Sequence, residues 1–242
     1  MRLVRQIMSL PISLEVPADA ADAAERAFAW LREVDRRFSP FRADSEVTRF
    51  TPGGPHSEEM REILDLCRTY EHRSGGAFRA WLPGRGFDPS GVVKGWAAQR
   101  AADLLRAEGV GEFCLNAGGD VFAAGRTWSV GIRHPDQPMA VCAVLAVRDL
   151  AVATSGSYER GEHVIDGRTG RPARELVSLT VVAADLTTAD AVSTAAFALG
   201  RDGIAWAAAQ PGCLVHAVDA GRRVHHSSAL GGLLVPPGTM AS

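Results

Sequence analysis

The chain has 242 residues, 46% of them hydrophobic and 22% charged, the balance of a globular protein with enough apolar material for a sizeable core. Its 26 basic and 28 acidic residues leave a formal charge of −2 with no long basic run, so no nucleic acid and no anionic membrane surface is expected as a partner. No apolar stretch approaches the roughly 18 residues of a membrane span, Met139–Val147 being the longest, and neither a leader pattern nor a lipid-attachment Cys is evident, so a cytoplasmic location is expected.

In chain order, Leu3–Val16 reads as one extended segment. Pro17–Phe38 places Ala24, Phe28, Leu31, Val34 and Phe38 at helical spacing, and a turn-rich loop follows over Ser39–Pro55. Ser57 suits an N-cap, with Glu58 and Glu59 in the first turn of a helix that stops before Gly75 and Gly76. A third helix is predicted over Val93–Glu108, with Gly109 as its stop. Short strand patterns come next: Glu112–Leu115, Val121–Ala124, Thr127–Arg133, Met139–Arg148, Val152–Thr154, His163–Asp166 and Leu179–Ala183. Thr188–Gln210 reads as one or two helices, and Cys213–Asp219 with Arg222–His226 as a hairpin around Ala220-Gly221. Strands separated by turns rather than by helices predict an α+β fold with a mainly antiparallel sheet and packed helices. No repeat or low-complexity linker divides the chain, so a single domain is expected over 1–242, loosely held from Gly231. Cys67, Cys114, Cys142 and Cys213 lie far apart and read as reduced thiols.

The standard nucleotide and zinc patterns are absent: there is no phosphate loop, no G-x-G-x-x-G between a strand and a helix, and no H-E-x-x-H among the seven histidines. Four glycine-dense polar clusters remain. Phe87–Trp96 is a turn feeding a helix, whose free N–H groups and Lys94 suit a phosphate. Lys94 is the only Lys among the 26 basic residues, and without a ligand its side chain is expected to face solvent. Asn116–Asp120 lies between two strands, where Gly118 and Gly119 allow either a bulge or the close approach of a ligand. Thr154–Arg160 is followed by His163–Gly170, and strand alternation sets His163 and Asp166 on opposite faces. In Thr187–Thr194, Asp190 and Thr194 share a helical face and offer two hard oxygens for Mg2+, although an Asp there equally suits a helix start.

Taken together, and in this order, the clusters resemble the ApbE-type FAD:protein FMN transferases. The resemblance rests on Ser39-x-Phe41 with Ser45-Glu46, Asp88 through Lys94-Gly95, Asn116-x-Gly118-Gly119-Asp120, Thr154-Ser155-Gly156, His163-x-x-Asp166-x-x-Thr169-Gly170 and Ala189-Asp190-x-x-x-Thr194, and it covers roughly Met8–Gly200. It implies an α+β fold, FAD as substrate with Mg2+, and transfer of FMN to a Ser or Thr hydroxyl of an acceptor flavoprotein with release of AMP. By the same resemblance the Gly91 carbonyl and the side chains of Asp190 and Thr194 hold the metal. Met8, Phe41, Ala77, Phe78, Asp88, Lys94 and the backbone near Val164 line the flavin nucleotide, and Asn116, Gly118, Gly119, Asp120, Ser155 and Gly156 complete the expected site. His163 is the expected base, imidazole being suited to proton transfer near neutral pH, and Asp166 is the second catalytic candidate. The chain departs from the family in having Arg79 after Gly76-Ala77-Phe78, where Asp is common, and Gly167 where Pro is common.

Two other readings use the same residues. Water in place of the acceptor hydroxyl gives a Mg2+-dependent FAD pyrophosphatase yielding FMN and AMP. A protein that stores or delivers FAD needs no turnover, but binding alone requires no Mg2+ at the scissile phosphate, so the Asp190 and Thr194 pair argues against it. A Ser155-His163-Asp166 hydrolase lacks the G-x-S-x-G elbow.

Overall fold

The computed structural model describes residues 1–82, 84, 86–157, 161 and 163–236. The amino-terminal segment, expected as one extended piece, folds back on itself: β1 (Arg2–Ile7) and β2 (Leu10–Glu15) pair antiparallel around Met8-Ser9. Both turn residues have positive φ, 56° and 58°, a conformation usually left to Gly or Asn, so the sequence carries no turn signal there. α1 (Ala21–Phe38) and α2 (Glu58–Arg73) follow, and the Ser57 hydroxyl caps α2 by accepting from Met60 N–H at 3.1 Å. After the short pair β3 (Trp81–Leu82) and β4 (Gly86–Phe87), α3 (Ser90–Ala107) begins at Ser90 rather than Val93.

The second half supplies β5 (Phe113–Ala117), β6 (Asp120–Ala124), β7 (Trp128–Arg133), β8 (Val141–Val147), β9 (Leu150–Gly156), the small pair β10 (Ile165–Asp166) and β11 (Arg171–Pro172), and β12 (Leu176–Ala183). The predicted terminal helical stretch is two helices, α4 (Leu186–Leu199) and α5 (Asp202–Ala208), followed by β13 (Leu214–Asp219) and β14 (Val224–His226). Eight strands form one antiparallel sheet in the order β1-β2-β5-β6-β9-β12-β13-β14, so the class is α+β.

Alternation along the central strands assigns the two faces. Leu115, Phe122, Ala151, Ala153, Leu179, Val181 and Val215 point into the larger core, beneath α1, α3 and α4. Val121, Ala123, Val152 and Val182 point the other way, where the β7–β8 hairpin covers them with Trp128, Val130, Ile132, Leu145 and Val147. Both faces of β6 and β12 are therefore dry, and every residue of these strands is buried.

The segment expected to be loose from Gly231 is pinned instead as far as Val235. Leu230 is buried, Leu234 bridges Leu145, and Val235 N–H donates to Val144 at 2.9 Å. Tyr158, Glu159 and Arg160 of the third polar cluster, and residues 237–242, lie outside the described residues.

Candidate functional site

A cleft of about 590 Å³ opens where the end of α1, the starts of α3 and α4, and the Met8-Ser9 and Gly118 turns converge. Lys94, in the second turn of α3, does not face solvent as its sequence suggested. Its Nζ lies 2.7 Å from Asp120 Oδ2 and 3.5 Å from Asp190 Oδ1. The contact with Asp120 is a close ion pair off the line of a hydrogen bond, since that oxygen accepts none among the described residues. Only 22% of the Lys94 side chain is exposed, and the two carboxylates are almost fully buried.

Each carboxylate is held from behind. Asp120 Oδ1 accepts from Thr154 N–H at 3.2 Å, and Asp190 Oδ2 accepts from Gly95 N–H at 2.8 Å. Burial pushes the Asp190 carboxyl up, to about 7; Lys94 opposes the rise and the charge of Asp120 adds to it. Asp190 is not the helix cap. That role falls to Asp185, whose carboxylate accepts from Thr188 N–H at 2.7 Å and from the Thr188 hydroxyl at 2.8 Å.

One turn beyond Asp190, Thr194 Oγ1 lies 3.4 Å from Ser155 Oγ, which is 3.0 Å from Ser193 Oγ. Asp190, Thr194 and Gly91 thus line the same cleft, with a carboxylate, a hydroxyl and a backbone carbonyl among their groups. This is a hard donor set of the kind that fits Mg2+, which retains room for water and phosphate oxygens. Among the described residues no group of three His, Cys, Asp or Glu forms a metal cluster.

Met8, Phe41, Phe78, Asp88, Gly118, His163 and Val164 line the same cleft, Phe41 being 90% exposed at its mouth. Other expected residues do not reach it. Ala77 is fully buried under the wall, and Gly156 is a buried strand residue opposite Ser178. Asn116 Oδ1 accepts from Gly119 N–H at 2.8 Å, which closes the β5–β6 turn: Gly118 and Gly119 have φ of 62° and 104°, and the cluster is a hairpin turn that delivers Asp120 to Lys94.

His163 and Asp166 do not meet. His163 is exposed, with Nδ1 3.0 Å from the Gly161 carbonyl. Asp166 is gripped by Arg168 at 2.9 and 3.0 Å and lies outside the cleft lining. Burial works to raise its carboxyl, but the Arg168 side chain and backbone N–H outweigh it and hold the group below the usual carboxylate range. The loop bearing both residues packs on the Gly76–Arg79 turn. Gly167 N–H donates to the Ala77 carbonyl at 2.8 Å, and a Cβ at Gly167 would stand 2.5 Å from the Gly76 carbonyl. Neither a proline nor a side chain fits this version of the turn, and Arg79 pairs with Glu71 at 3.0 Å. Ser45 and Glu46 also stay out of the cleft: Glu46 ties Arg37 of α1 to Ser57, and the Ser45 hydroxyl accepts from Thr48 N–H.

The structure adds to the lining Asp35 and Arg42, which sequence reasoning missed, and Arg79 and Thr154, which it named without placing them in the site. Asp35 belongs to a helix whose apolar spacing drew attention to Ala24, Phe28, Leu31, Val34 and Phe38. No local signal marks it.

The family model for the ApbE family matches residues 8–84 and 82–216. An FAD:protein FMN transferase of Rhodobacter capsulatus is 33% identical over 196 residues, covering 76% of this chain and 35% of its own length. One from Klebsiella pneumoniae (strain 342) is 34% identical over 159 residues, covering 60% of this chain and 50% of its own. The chain thus spans half or less of the length of these relatives. The solved flavin transferase ApbE from Vibrio cholerae superposes with a TM-score of 0.84 at 23% identity, over 97% of this chain and 99% of that one, a likeness of fold.

Proposed function

The chain belongs to the ApbE family, and from that premise we propose that it moves FMN from FAD to a Ser or Thr hydroxyl of an acceptor flavoprotein, releasing AMP. The observation that carries this reading is the Lys94 ammonium 3.5 Å from the Asp190 carboxylate in a cleft that Thr194 and Gly91 also line. An anionic pyrophosphate under attack gathers charge, and a fixed cation beside a hard-metal donor set is what compensates it. Asp190, Thr194 and the Gly91 carbonyl would hold Mg2+, which when bound supplies further charge neutralisation at the phosphates. Lys94 presents its ammonium to the phosphate oxygens from a position set by the two carboxylates behind it. His163, exposed at the cleft wall, takes the proton of the acceptor hydroxyl as that oxygen bonds to the flavin-side phosphorus. The bond from this phosphorus to the bridging oxygen breaks, and AMP leaves with that oxygen.

Incubated with Mg2+, FAD and candidate flavoproteins, the protein is expected to raise an acceptor's mass by one FMN and to release one AMP per transfer. Excess chelator is expected to abolish both. Free FMN with no gain in acceptor mass would make the protein a pyrophosphatase instead, and full transfer in chelator would remove the metal from the reaction.

Asp190→Asn is expected to shift the Mg2+ midpoint of AMP release upward by more than Thr194→Val does, because Asp190 carries the only full charge among the three donors. A carboxylate that merely stabilised a helix start would behave differently: its loss would cost about 0.5–2 kcal/mol of stability and leave the Mg2+ midpoint alone. Since Asp185 already caps α4 and burial disfavours the ionised Asp190, the melting temperature of metal-free Asp190→Asn is expected to hold or rise. Mg2+ titrations with thermal melts alongside separate the two roles.

A further inference from the structure

The charged side chains lining the cleft are, with one exception, already engaged. Lys94 lies between Asp120 and Asp190, Asp88 accepts from Ser90 N–H at 3.0 Å, Arg79 pairs with Glu71 at 3.0 Å, and Arg42 with Asp44 at 3.4 Å. Asp35 also lines the cleft, half-buried, and among the described residues it makes neither a hydrogen bond nor an ion pair.

Local physics disfavours a carboxylate at this position. Asp35 stands in the last turn of α1, at the negative end of the helix dipole. The adjacent cations are committed elsewhere, Arg36 to Glu33 and Arg37 to Glu46 and Glu59. The helix end is also fixed relative to Lys94, because Phe38 packs edge-on to Trp96 of α3 with ring centroids 5.8 Å apart. A rigid wall therefore holds an unneutralised acceptor against a cleft that elsewhere is equipped for phosphate. Nothing in the fold's own contacts accounts for it.

Resting on the FAD reading above, we propose that Asp35 is a specificity residue of this cleft, accepting hydrogen bonds from an uncharged N–H or O–H donor on a nucleoside portion of the dinucleotide. A carboxylate repels phosphate, so the portion of the ligand it faces carries donors and no charge. Ribityl hydroxyls on the flavin side, and ribose hydroxyls or the base amino group on the adenosine side, share that chemistry. The same charge disfavours ligands that bear an extra phosphate at this position.

The test uses wild type, Asp35→Ala and Asp35→Asn with Mg2+ present, titrated with FAD, riboflavin, adenosine and inorganic pyrophosphate. FAD binding to Asp35→Ala is expected to weaken about tenfold, the loss of a hydrogen bond to a charged acceptor. Asp35→Asn, which keeps an acceptor oxygen, is expected to lose less. Either riboflavin or adenosine loses affinity by a similar factor, which identifies the half concerned, while pyrophosphate binds both variants at least as well as wild type. Melting temperatures hold or rise, because a negative charge has left a helix C-terminus. FAD affinities equal to wild type in both variants overturn the proposal, and so does an equal loss for pyrophosphate, the mark of a merely structural change. Wild-type protein that binds no FAD overturns the transferase reading, and this inference falls with it.

Discussion

Lys94→Ala is expected to destabilise the protein as well as to abolish tight FAD binding. The ammonium is the counter-charge of two carboxylates that are almost wholly buried, Asp120 and Asp190, at 2.7 and 3.5 Å. Removing one partner of a buried pair leaves an uncompensated charge, typically costing about 3–5 kcal/mol. The sign of the pH dependence follows from Asp190, which burial already holds at about 7 with Lys94 opposing the rise. Without Lys94 the carboxyl moves higher still. A carboxyl raised in the folded state favours folding at low pH, so the variant's deficit is smallest at and below the ordinary carboxylate value of about 4 and grows as pH rises through the folded value. Thermal melts between pH 5 and pH 9, taken as about the accessible range, read this directly. The double variant Lys94→Ala with Asp120→Asn is expected to recover stability without recovering FAD affinity, which separates charge compensation from ligand contact. A Lys94→Ala protein that melts like wild type at the alkaline end would show that the carboxylates do not depend on the lysine.

That coupling marks the limit of what could be read along the chain. Each polar cluster was visible as a local pattern, and the α+β class followed from turns between short strands. Lys94 stood out by composition and by its place in a turn feeding a helix, but its partners sit in β6 and α4, and only the β5–β6 turn and the packing of α3 on α4 bring them together. The start of α3 at Ser90 puts Lys94 in the second turn, facing the sheet, where the sequence suggested an exposed lysine at a helix start. Likewise Asp190 reads along the chain as either a metal ligand or a helix-start residue, and the structure gives the cap to Asp185. The Met8-Ser9 turn was invisible because its positive φ values fall on residues that do not advertise them. β12 was cut short because burial on both faces erased the alternation by which a strand is recognised. The anchoring of Leu234 and Val235 was not legible because their partners, Leu145 and Val144, belong to a distant hairpin. His163 and Asp166 share a motif yet not a contact, since Arg168 takes the carboxylate.

The packing that joins these clusters can be tested with a single methyl group. Gly95 sits where α3 crosses α4, and a Cβ there would stand 2.5 Å from both Asp190 Cβ and the Leu186 carbonyl oxygen. One of those obstacles is backbone and the other is fixed to it, so α4 has to move away from α3. Gly91, one turn earlier, offers a contrast: its Cβ would meet the rim of the Phe78 ring at 2.8 Å and the Thr194 methyl at 3.1 Å, side-chain atoms that yield by small rotations. Replacing a mid-helix Gly by Ala gains about 0.5–1 kcal/mol of helix stability, which applies to Gly95 and less to Gly91, the second residue of α3. Overpacking costs about 1–3 kcal/mol or more where backbone has to shift. Gly95→Ala is therefore expected to lose stability on balance, and Gly91→Ala to come out near neutral. The functional forecast has the same order, because displacing Asp190 breaks its bond from the Gly95 amide and its approach to Lys94 together. Gly95→Ala is expected to raise the Mg2+ midpoint of AMP release about as far as Asp190→Asn does, by tenfold or more, whereas Gly91→Ala keeps its carbonyl and shifts the midpoint less. Urea unfolding and Mg2+ titration of both variants check the two rankings independently. A Gly95→Ala protein as stable and as Mg2+-responsive as wild type would mean that close helix crossing is not what positions Asp190.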